Sequence, residues 1–332
     1  MQCPVCGERL PDAGEVLDGL GARFAPCPDC PPGRLDPRAP PGEACAPCAC
    51  GRRPLDHVMA AVHAVLVAEG GLDPTAPLAA VGTPLLHPLF PMRRPPFLPP
   101  KSLVLLTRRA TPSSARRILE EVPEVRGVVL DRGIVPGVRG ETHTLLAGCD
   151  VYAEVRFTPP GALVLYKQAS TCHIEAPRPV DPKVNATDHE LQRRLPDLFV
   201  DACAGVGTLG LVAALRLVPG VVLNDVWGPA AWFAGANLAV NREALLVDRV
   251  EQLASYGELC AAGLRDEPVP VAIARGLQEI RVYHGCLWQL AAQLPPGDAR
   301  LAAIDPFGKE PGRLTRIARR WQDCAGGEVF IP

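Results

Sequence analysis

Three glycines, Gly205, Gly207 and Gly210, lie in a turn after a short apolar segment, and this turn could bind a ligand. The segment 198–200 ends in Asp201, and residues 209–217 have the composition of a helix. Glycine lets the backbone approach a ligand where a Cβ would clash, and the amides at a helix N-terminus attract anionic groups. The turn therefore favours a nucleotide-like ligand with a carboxylate or phosphate; a tight turn without a ligand is the alternative.

Later apolar segments also end in polar residues. One ends in Asn224 and Asp225, about twenty residues after the glycines, where an acid in a doubly wound sheet accepts hydrogen bonds from ribose hydroxyls. A third segment ends just before Cys286, and a fourth ends at Asp305. Ligands of open α/β sheets bind outside the carboxyl ends of the strands, so these residues are expected to meet in one crevice.

From about residue 198 to residue 330, the chain resembles the class I S-adenosylmethionine-dependent methyltransferases. Residues 201–207 are similar to the first motif of that family, and Asn224-Asp225 is similar to the second. Asp305-Pro306-Phe307-Gly308 is similar to the Asp-Pro-Phe-Gly of the tRNA guanosine N2-dimethyltransferases. The resemblance implies an S-adenosylmethionine site formed by Asp201, Cys203, Gly205, Gly207, Asn224, Asp225 and Cys286. Cys286 stands where the family has an acid or amide, so we expect that contact from a backbone amide or from elsewhere.

The same resemblance implies an acceptor site at Asp305, Pro306 and Phe307. The Asp305 carboxylate and the Pro306 carbonyl would accept the hydrogens of an amine and aim its lone pair at the methyl group. Phe307 would stack on a flat base or cap the pocket. The alternative is structural: Asp305 would be a helix N-cap, with Pro306 at the first helical position.

The spacing Gly205-x-Gly207-x-x-Gly210 also fits the dinucleotide-binding pattern of dehydrogenases. Asp201 before the turn is a feature of the methyltransferase motif, and Asp-Pro-Phe-Gly has no role in hydride transfer. The methyltransferase interpretation is therefore favoured.

Seven of the 13 cysteines fall within the first fifty residues. Cys3 and Cys6, with Cys27 and Cys30, form two Cys-x-x-Cys pairs at the spacing of a zinc ribbon. Two disulfides are the alternative. The N-terminus has neither a basic start nor an apolar run, so we expect a reducing, cytoplasmic environment in which zinc is favoured. The segment is poor in apolar residues and is expected to need the metal in order to fold.

Three more cysteines, Cys45, Cys48 and Cys50, lie close to His57. They could form a second zinc site, ligate an iron–sulfur cluster, or act as alternative ligands to the first ion.

Residues 56–190 are predicted to form a small α+β domain that positions the substrate. Residues 101–106, 112–121 and 125–130 have a strand–helix–strand pattern, whereas the proline-dense stretch 84–100 predicts a linker without regular structure. The glycines, Arg139 and paired strands of 132–166 resemble the corresponding domain of archaeal tRNA guanosine N1-methyltransferases and wybutosine aminocarboxypropyl transferases. That resemblance implies tRNA lying across this domain.

Residues 328–330 are predicted to form a fifth strand of the catalytic sheet. The final helix and antiparallel strand pair of the family do not follow these residues, so the sheet is expected to be shortened, to be completed by another segment, or to continue in a longer gene product. An exposed edge strand can pair with another chain, and a homodimer or a partner subunit would provide one.

Composition places limits on the function. The 332 residues are 48% hydrophobic and carry a net charge of −2, and no apolar run approaches the 18 residues of a membrane span. The expected domains are a cysteine-rich zinc segment (1–55), the α+β domain (56–190) and a Rossmann-like α/β methyltransferase domain (191–332).

The predicted activity is methylation of a base nitrogen of RNA, with tRNA favoured. Two alternatives stay open. The acceptor could be a protein side chain or a coenzyme, which suits the acidic net charge, or the chain could be a non-catalytic zinc- and RNA-binding subunit. Local basic clusters support RNA, among them the arginines at 313, 316, 319 and 320 with helical spacing, although a solvated helix face would look the same.

Overall fold

The structure is a computed structural model that describes residues 1–33, 36–294, 300–308 and 310–332. Its strands are β1 (Arg53–Pro54), β2 (Thr83–Leu86), β3 (Phe97–Leu98), β4 (Leu103–Thr107), β5 (Val125–Leu130), β6 (Thr144–Gly148), β7 (Val151–Thr158), β8 (Gly161–Gln168), β9 (Leu198–Asp201), β10 (Gly220–Asp225), β11 (Val247–Gln252), β12 (Val269–Gly276), β13 (Glu279–His284), β14 (Arg300–Ala303) and β15 (Glu328–Phe330). Its α-helices are α1 (Ala13–Asp18), α2 (Leu20–Arg23), α3 (Leu55–Ala68), α4 (Pro112–Glu121), α5 (Pro182–Arg194), α6 (Thr208–Leu215), α7 (Gly228–Val240), α8 (Tyr256–Ala262), α9 (Leu287–Gln293) and α10 (Pro311–Ala325).

The largest sheet has the strand order β11-β12-β13-β10-β9-β14-β15. Its last five strands are mutually parallel, and β9 is the first of them in the chain. Numbered along the chain, these five strands have the order 3-2-1-4-5 that defines doubly wound α/β folds. The Rossmann-like fold predicted from the sequence is therefore confirmed.

Alternate residues of the central strand β9 face opposite sides of this sheet. Phe199 belongs to the core formed with α6 and α7, whereas Val200 belongs to the core formed with α9 and α10. Parallel strands covered on both faces have nearly continuous apolar sequences, as β9 and β10 do.

The hairpin of β11 and β12 was not expected from the sequence. It is antiparallel and extends the sheet beyond β13. The outer strand, β11, carries Asp248, Arg249 and Glu251. Charged side chains of this kind discourage an edge strand from pairing with another chain.

The middle region contains a second sheet in the order β2-β4-β5-β6, with α3 and α4 in its core. The predicted strand–helix–strand unit is confirmed, and Thr111 caps α4 by accepting the Ser114 amide at 3.2 Å. The prediction that 84–100 lacks regular structure was wrong, because it contributes β2 and β3. β2 pairs only with β4, so Pro84 lies on an edge strand, where a missing N–H is tolerated.

The β7–β8 hairpin joins the middle region to the large sheet. It packs on α7, and it shares a core with Cys3, Leu10 and Ala13 of the N-terminal segment. Within the described ranges, none of the helices is long and apolar enough to cross a bilayer.

Candidate functional site

The glycine turn lies between β9 and α6. Gly205 and Gly207 have φ values of +55° and +100°, a region that side-chain-bearing residues rarely adopt. A Cβ on Gly205 would meet no atom within 4 Å, so the space beside this residue is open. A Cβ on Gly210 would lie 2.6 Å from Cγ of Leu223, so that glycine lets α6 approach β10 closely.

Asp201 stabilises the start of helix α6, which follows the glycine turn. It is buried, and its Oδ2 accepts a hydrogen bond from the Gly210 amide at 2.9 Å. Its Oδ1 is buried without a hydrogen-bond partner, and burial raises the pKa of this carboxyl to about 7. Asp201 therefore holds the first turn of α6, and its contact with a cofactor stays a prediction.

Asp225, at the end of β10, holds the glycine turn at Gly205. Its Oδ2 accepts the Gly205 amide and its Oδ1 accepts the Trp227 amide, both at 2.8 Å. Each oxygen keeps a lone pair for a further donor such as a ribose hydroxyl. Burial raises the pKa of Asp225.

Asn224 ties three strand ends together. It is buried, and its Nδ2 donates to the carbonyls of Ala202 at 3.2 Å and Gly285 at 3.0 Å, after β9 and β13. Its Oδ1 is buried without a hydrogen-bond partner. Asn224, which is predicted to bind the cofactor, thus links the strand ends that line the crevice.

Asp305 follows β14 and faces the same crevice. β10 and β14 pair in parallel with β9 on either side, so Asp201, Asp225 and Asp305 lie at the same edge of the sheet. Burial raises the pKa of the Cys203 thiol, and these carboxylates raise it further. The structure thus brings the predicted acids to one place, at the carboxyl ends of β9, β10 and β14.

Lys183 is a residue of this site that sequence reasoning missed. It lies on α5, and its Nζ is 2.9 Å from Oδ2 of Asp305 and 3.6 Å from Oε1 of Glu175. Burial lowers the pKa of Lys183, but the Asp305 partner outweighs that effect, so the net pKa is raised. Asp181-Pro182 is an N-cap signal that would have predicted the start of α5.

The loop after Asp305 is not the start of a helix. The next helix, α10, begins at Pro311 after its N-cap Glu310, so the alternative role of Asp305 as a helix cap is wrong. Phe307 is 52% exposed, and its ring meets the His173 ring edge-on with centroids 5.6 Å apart. An exposed aromatic ring beside an acid suits contact with a flat ligand.

Cys286 follows β13 and is the N-cap of α9. Its backbone amide donates to the Asp266 carbonyl at 3.0 Å. This amide already has a partner, so the expected contact would come from another group, and the place of Cys286 in the cofactor site stays a prediction.

Two of the predicted arginines of α10 have local partners. Arg313 Nη1 donates to the Phe307 carbonyl at 3.0 Å, and the Arg320 guanidinium lies 4.2 Å from the centre of the Trp288 ring. Arg316 and Arg319 are exposed on the same helix.

The middle region also reaches this end of the sheet. Gly137 lies against Trp227, two residues after Asp225, and a Cβ on Gly137 would be 2.9 Å from the indole Cδ1. The Trp227 Nε1 donates to the Thr171 carbonyl at 2.8 Å. The loop at Gly137, in the region 56–190 that is predicted to position the substrate, therefore lies next to the crevice.

The cysteines group differently from the prediction. The Sγ atoms of four of them lie within 4.8 Å of one another, and this tetracysteine cluster consists of Cys27, Cys30, Cys48 and Cys50. Cys3 and Cys6 lie instead with Cys149 in a separate group. A single site of Cys3, Cys6, Cys27 and Cys30 is therefore wrong. Cys45 lies outside both groups, and its amide donates to His57 Nδ1 at 3.1 Å.

The tetracysteine cluster has dimensions that suit zinc. Its Sγ separations are 3.6 Å for Cys27–Cys48, Cys27–Cys30 and Cys30–Cys50. Zn–S bonds of about 2.3 Å in a tetrahedron give S–S edges of about 3.8 Å, whereas a disulfide is about 2.05 Å long. These cysteines fit one tetrahedral ion better than two disulfides.

The parallel strand order, the glycine turn and the acids after β10 and β14 define a Rossmann-like, doubly wound α/β domain, preceded by an α+β region and a cysteine-rich segment. No protein-family model and no curated protein matches the chain.

Among solved structures, the chain is similar to three archaeal proteins. One is Trm1 from Pyrococcus horikoshii in complex with S-adenosyl-L-methionine, with 16% identity and a TM-score of 0.35 over 52% of this chain and 40% of that chain. The second is aTrm5 in complex with tRNALeu, with 17% identity and a TM-score of 0.29 over 42% of this chain and 41% of that one. The third is Trm5b from Pyrococcus abyssi, with 12% identity and a TM-score of 0.34 over 68% of this chain and 56% of that one. The chain thus spans about half the length of these proteins or less.

Proposed function

We propose that the crevice binds S-adenosylmethionine and that the chain transfers its methyl group to a base nitrogen of RNA, with tRNA as the acceptor we favour. The observation that carries this proposal is the convergence of the Gly205 turn, Asp225 and Asp305 at adjacent strand ends. The open space beside Gly205 and the unused lone pairs of Asp225 support a bound nucleoside there.

S-adenosylmethionine supplies a methyl group on a sulfonium centre. On the protein side, Asp225 would accept the ribose hydroxyls, and the turn would let the backbone approach the ligand. Asp305 would accept the hydrogens of the acceptor amine, with the Pro306 carbonyl beside it. Lys183 would hold the Asp305 carboxylate in place through the 2.9 Å contact.

Phe307 supports a planar acceptor, because about half of this residue is exposed, two positions after Asp305. A base nitrogen on RNA fits this combination of a stacking ring and an amine-binding acid. Asp-Pro-Phe-Gly also distinguishes the proposal from a dehydrogenase, since hydride transfer has no use for these groups.

For the cysteine-rich segment, we propose that one Zn²⁺ is held by Cys27, Cys30, Cys48 and Cys50. The Sγ separations of 3.6 Å support it. The Cys27 amide donates to the Cys30 sulfur at 3.3 Å, and a hydrogen bond to sulfur stabilises the thiolate form. The ion would fasten residues 27–30 to residues 48–50, in a segment with few apolar side chains.

The first test is calorimetric titration of the zinc-loaded full chain with S-adenosylmethionine. We expect micromolar binding by the wild type and a loss of about 10- to 100-fold in Asp225→Asn, because a charged hydrogen-bond acceptor is worth roughly 1.5–3 kcal/mol. Asp248→Asn, an exposed acid on β11, is the matched control and should bind like the wild type. Absence of binding at millimolar cofactor would exclude a stand-alone methyltransferase.

The acceptor is then tested with unmodified tRNA and nucleoside mass spectrometry. Asp305→Ala should bind S-adenosylmethionine within twofold of the wild type and yet lose methyl transfer. Methylation of protein or of a coenzyme with no methylated nucleoside would refute the RNA acceptor while leaving the cofactor site intact.

A further inference from the structure

A second cysteine group lies outside the tetracysteine cluster. Cys3 and Cys6 belong to the N-terminal segment, and Cys149 lies in the turn between β6 and β7. Their three Sγ atoms lie within 4.8 Å of one another, and the Cys3–Cys149 separation is 3.6 Å. The group therefore brings together residues that are 146 positions apart in the sequence.

The backbone around Cys3 has the form of a metal-binding turn. Gly7 has a φ of +74°, and its amide donates to the Cys3 carbonyl at 3.0 Å. The Cys3 amide donates to the Glu8 carbonyl at 2.8 Å, which closes the turn. Metals bind cysteine in its thiolate form.

A positive charge lies beside the group. Arg126 Nη2 lies 3.5 Å from Cys149 Sγ. Three thiolates around a divalent cation leave a net charge of −1, which the guanidinium would offset. Cys3 and Cys149 are buried, whereas Cys6 is exposed, so an ion and a water molecule could enter from the Cys6 side.

A disulfide would explain less of this arrangement. A Cys3–Cys149 disulfide would need the sulfurs at about 2.05 Å and would leave Cys6 without a role. The 3.6 Å separation instead matches the edge of about 3.8 Å expected in a tetrahedral zinc–thiolate site.

We propose that Cys3, Cys6 and Cys149 bind a second thiophilic divalent cation, Zn²⁺, and so fasten the N-terminal segment to the start of β7. Binding displaces the protons of the three thiols, and no oxidation or reduction is involved. Three protein ligands leave the fourth position for water, unlike the four-sulfur site of the tetracysteine cluster.

The test measures zinc per chain by mass spectrometry of the metal after the full-length protein is loaded with Zn²⁺ and dialysed. Cys149→Ser and Cys6→Ser should each lose one zinc relative to the wild type. Cys172→Ser, a buried cysteine outside both groups, should lose none. Cys48→Ser should also lose one zinc ion, this time from the tetracysteine cluster. Each site can therefore lose its zinc without affecting the other.

Cys6→Ser decides the result if Cys149→Ser does not fold, because Cys6 is exposed and its replacement disturbs no core. Replacement of zinc by Co²⁺ should give sulfur-to-metal charge-transfer absorption that decreases in Cys6→Ser. Unchanged zinc content in Cys6→Ser, or a wild-type mass that shows a Cys3–Cys149 disulfide, would overturn the proposal.

Discussion

At the scale of single residues, the acids of the crevice have different surroundings. Asp201 is buried with one oxygen on the Gly210 amide and the other without a partner. Asp225 has a backbone amide on each oxygen, and Asp305 has the ammonium group of Lys183. The residue types were readable in the sequence, but these partners were not, since they depend on how the strand ends meet.

The pH dependence of stability should reveal the buried Asp201. Its pKa rises from the ordinary 3.8 to about 7 on folding, so the folded state binds the proton more tightly than the unfolded state does. This stabilisation is complete below about pH 4 and is lost as the pH rises through about 7. The Asp201→Asn variant does not titrate there, so its free energy of unfolding relative to the wild type should increase between pH 4 and 8, by up to about 4 kcal/mol.

Urea unfolding at pH 4 and pH 8 measures this difference. Asp248→Asn, on the exposed strand β11, serves as the control and should follow the wild type at both pH values. Parallel pH curves for the wild type and Asp201→Asn would contradict the assigned protonation of this carboxyl.

Lys183 should act as a positioning residue for Asp305. Lys183→Met removes the cation but keeps the apolar stem, so we expect kcat for methyl transfer to fall by about 10- to 100-fold, since small misplacements of a catalytic group have costs of this size. The dissociation constant of S-adenosylmethionine should change by less than twofold, and Lys183→Arg should restore part of kcat.

Lys101→Met is the matched control for Lys183→Met, because Lys101 forms an exposed 2.9 Å ion pair with Glu8. It should leave kcat unchanged. Equal losses of kcat and cofactor affinity in Lys183→Met would point to a structural role for Lys183 instead.

At the scale of elements, local signals predicted the structure where they were strong. Helix α4 and strand β5 have the predicted bounds, 112–121 and 125–130, because Thr111-Pro112 marks a helix start and an apolar run follows the helix. The β11–β12 hairpin was missed, since its charged residues hide the alternation of a strand. The cysteine groups were assigned incorrectly, because Cys149 is brought to Cys3 only by the tertiary fold.

Two asparagines, one on α7 and one at its C-terminal end, form hydrogen bonds with the backbone amides and carbonyls of β8. Asn237 accepts the Tyr166 amide at 2.7 Å and donates to the Tyr166 carbonyl at 3.1 Å. Asn241, one turn later, forms the same pair of hydrogen bonds with Val164, at 2.9 and 2.7 Å. Their i, i+4 spacing was visible in the sequence, but the strand that they bind was not.

The Asn237→Ala variant should therefore destabilise the join between the hairpin and the catalytic sheet. It leaves a buried amide and a buried carbonyl without partners, so we expect the free energy of unfolding to fall by about 2–4 kcal/mol. Urea unfolding measures it, with Asn185→Ala on the exposed face of α5 as the control, expected within about 0.5 kcal/mol of the wild type. A loss of similar size in both variants would contradict this role.

At the scale of the whole molecule, the crevice is assembled from several regions. The Gly137 loop of the middle region packs on Trp227, and α5 supplies Lys183. The domain boundaries at residues 55 and 190 stay a prediction, as does pairing of β15 with another chain. The proposed RNA must bind a protein whose 34 basic and 36 acidic residues give a net charge of −2, so local clusters have to supply the attraction.

The salt dependence of tRNA binding tests where that attraction arises. Arg316 and Arg319 are exposed on α10, the helix that follows the Asp305 loop in the chain. Arg249 is exposed on β11, and Arg242 is exposed just before this strand. If arginines of α10 neutralise phosphates, the Arg316→Ala/Arg319→Ala variant should weaken binding and reduce the slope of log K against log salt concentration by about one for each arginine. Arg242→Ala/Arg249→Ala should leave the slope unchanged. Binding by the wild type without salt dependence would exclude a phosphate-rich substrate and favour a protein or coenzyme acceptor.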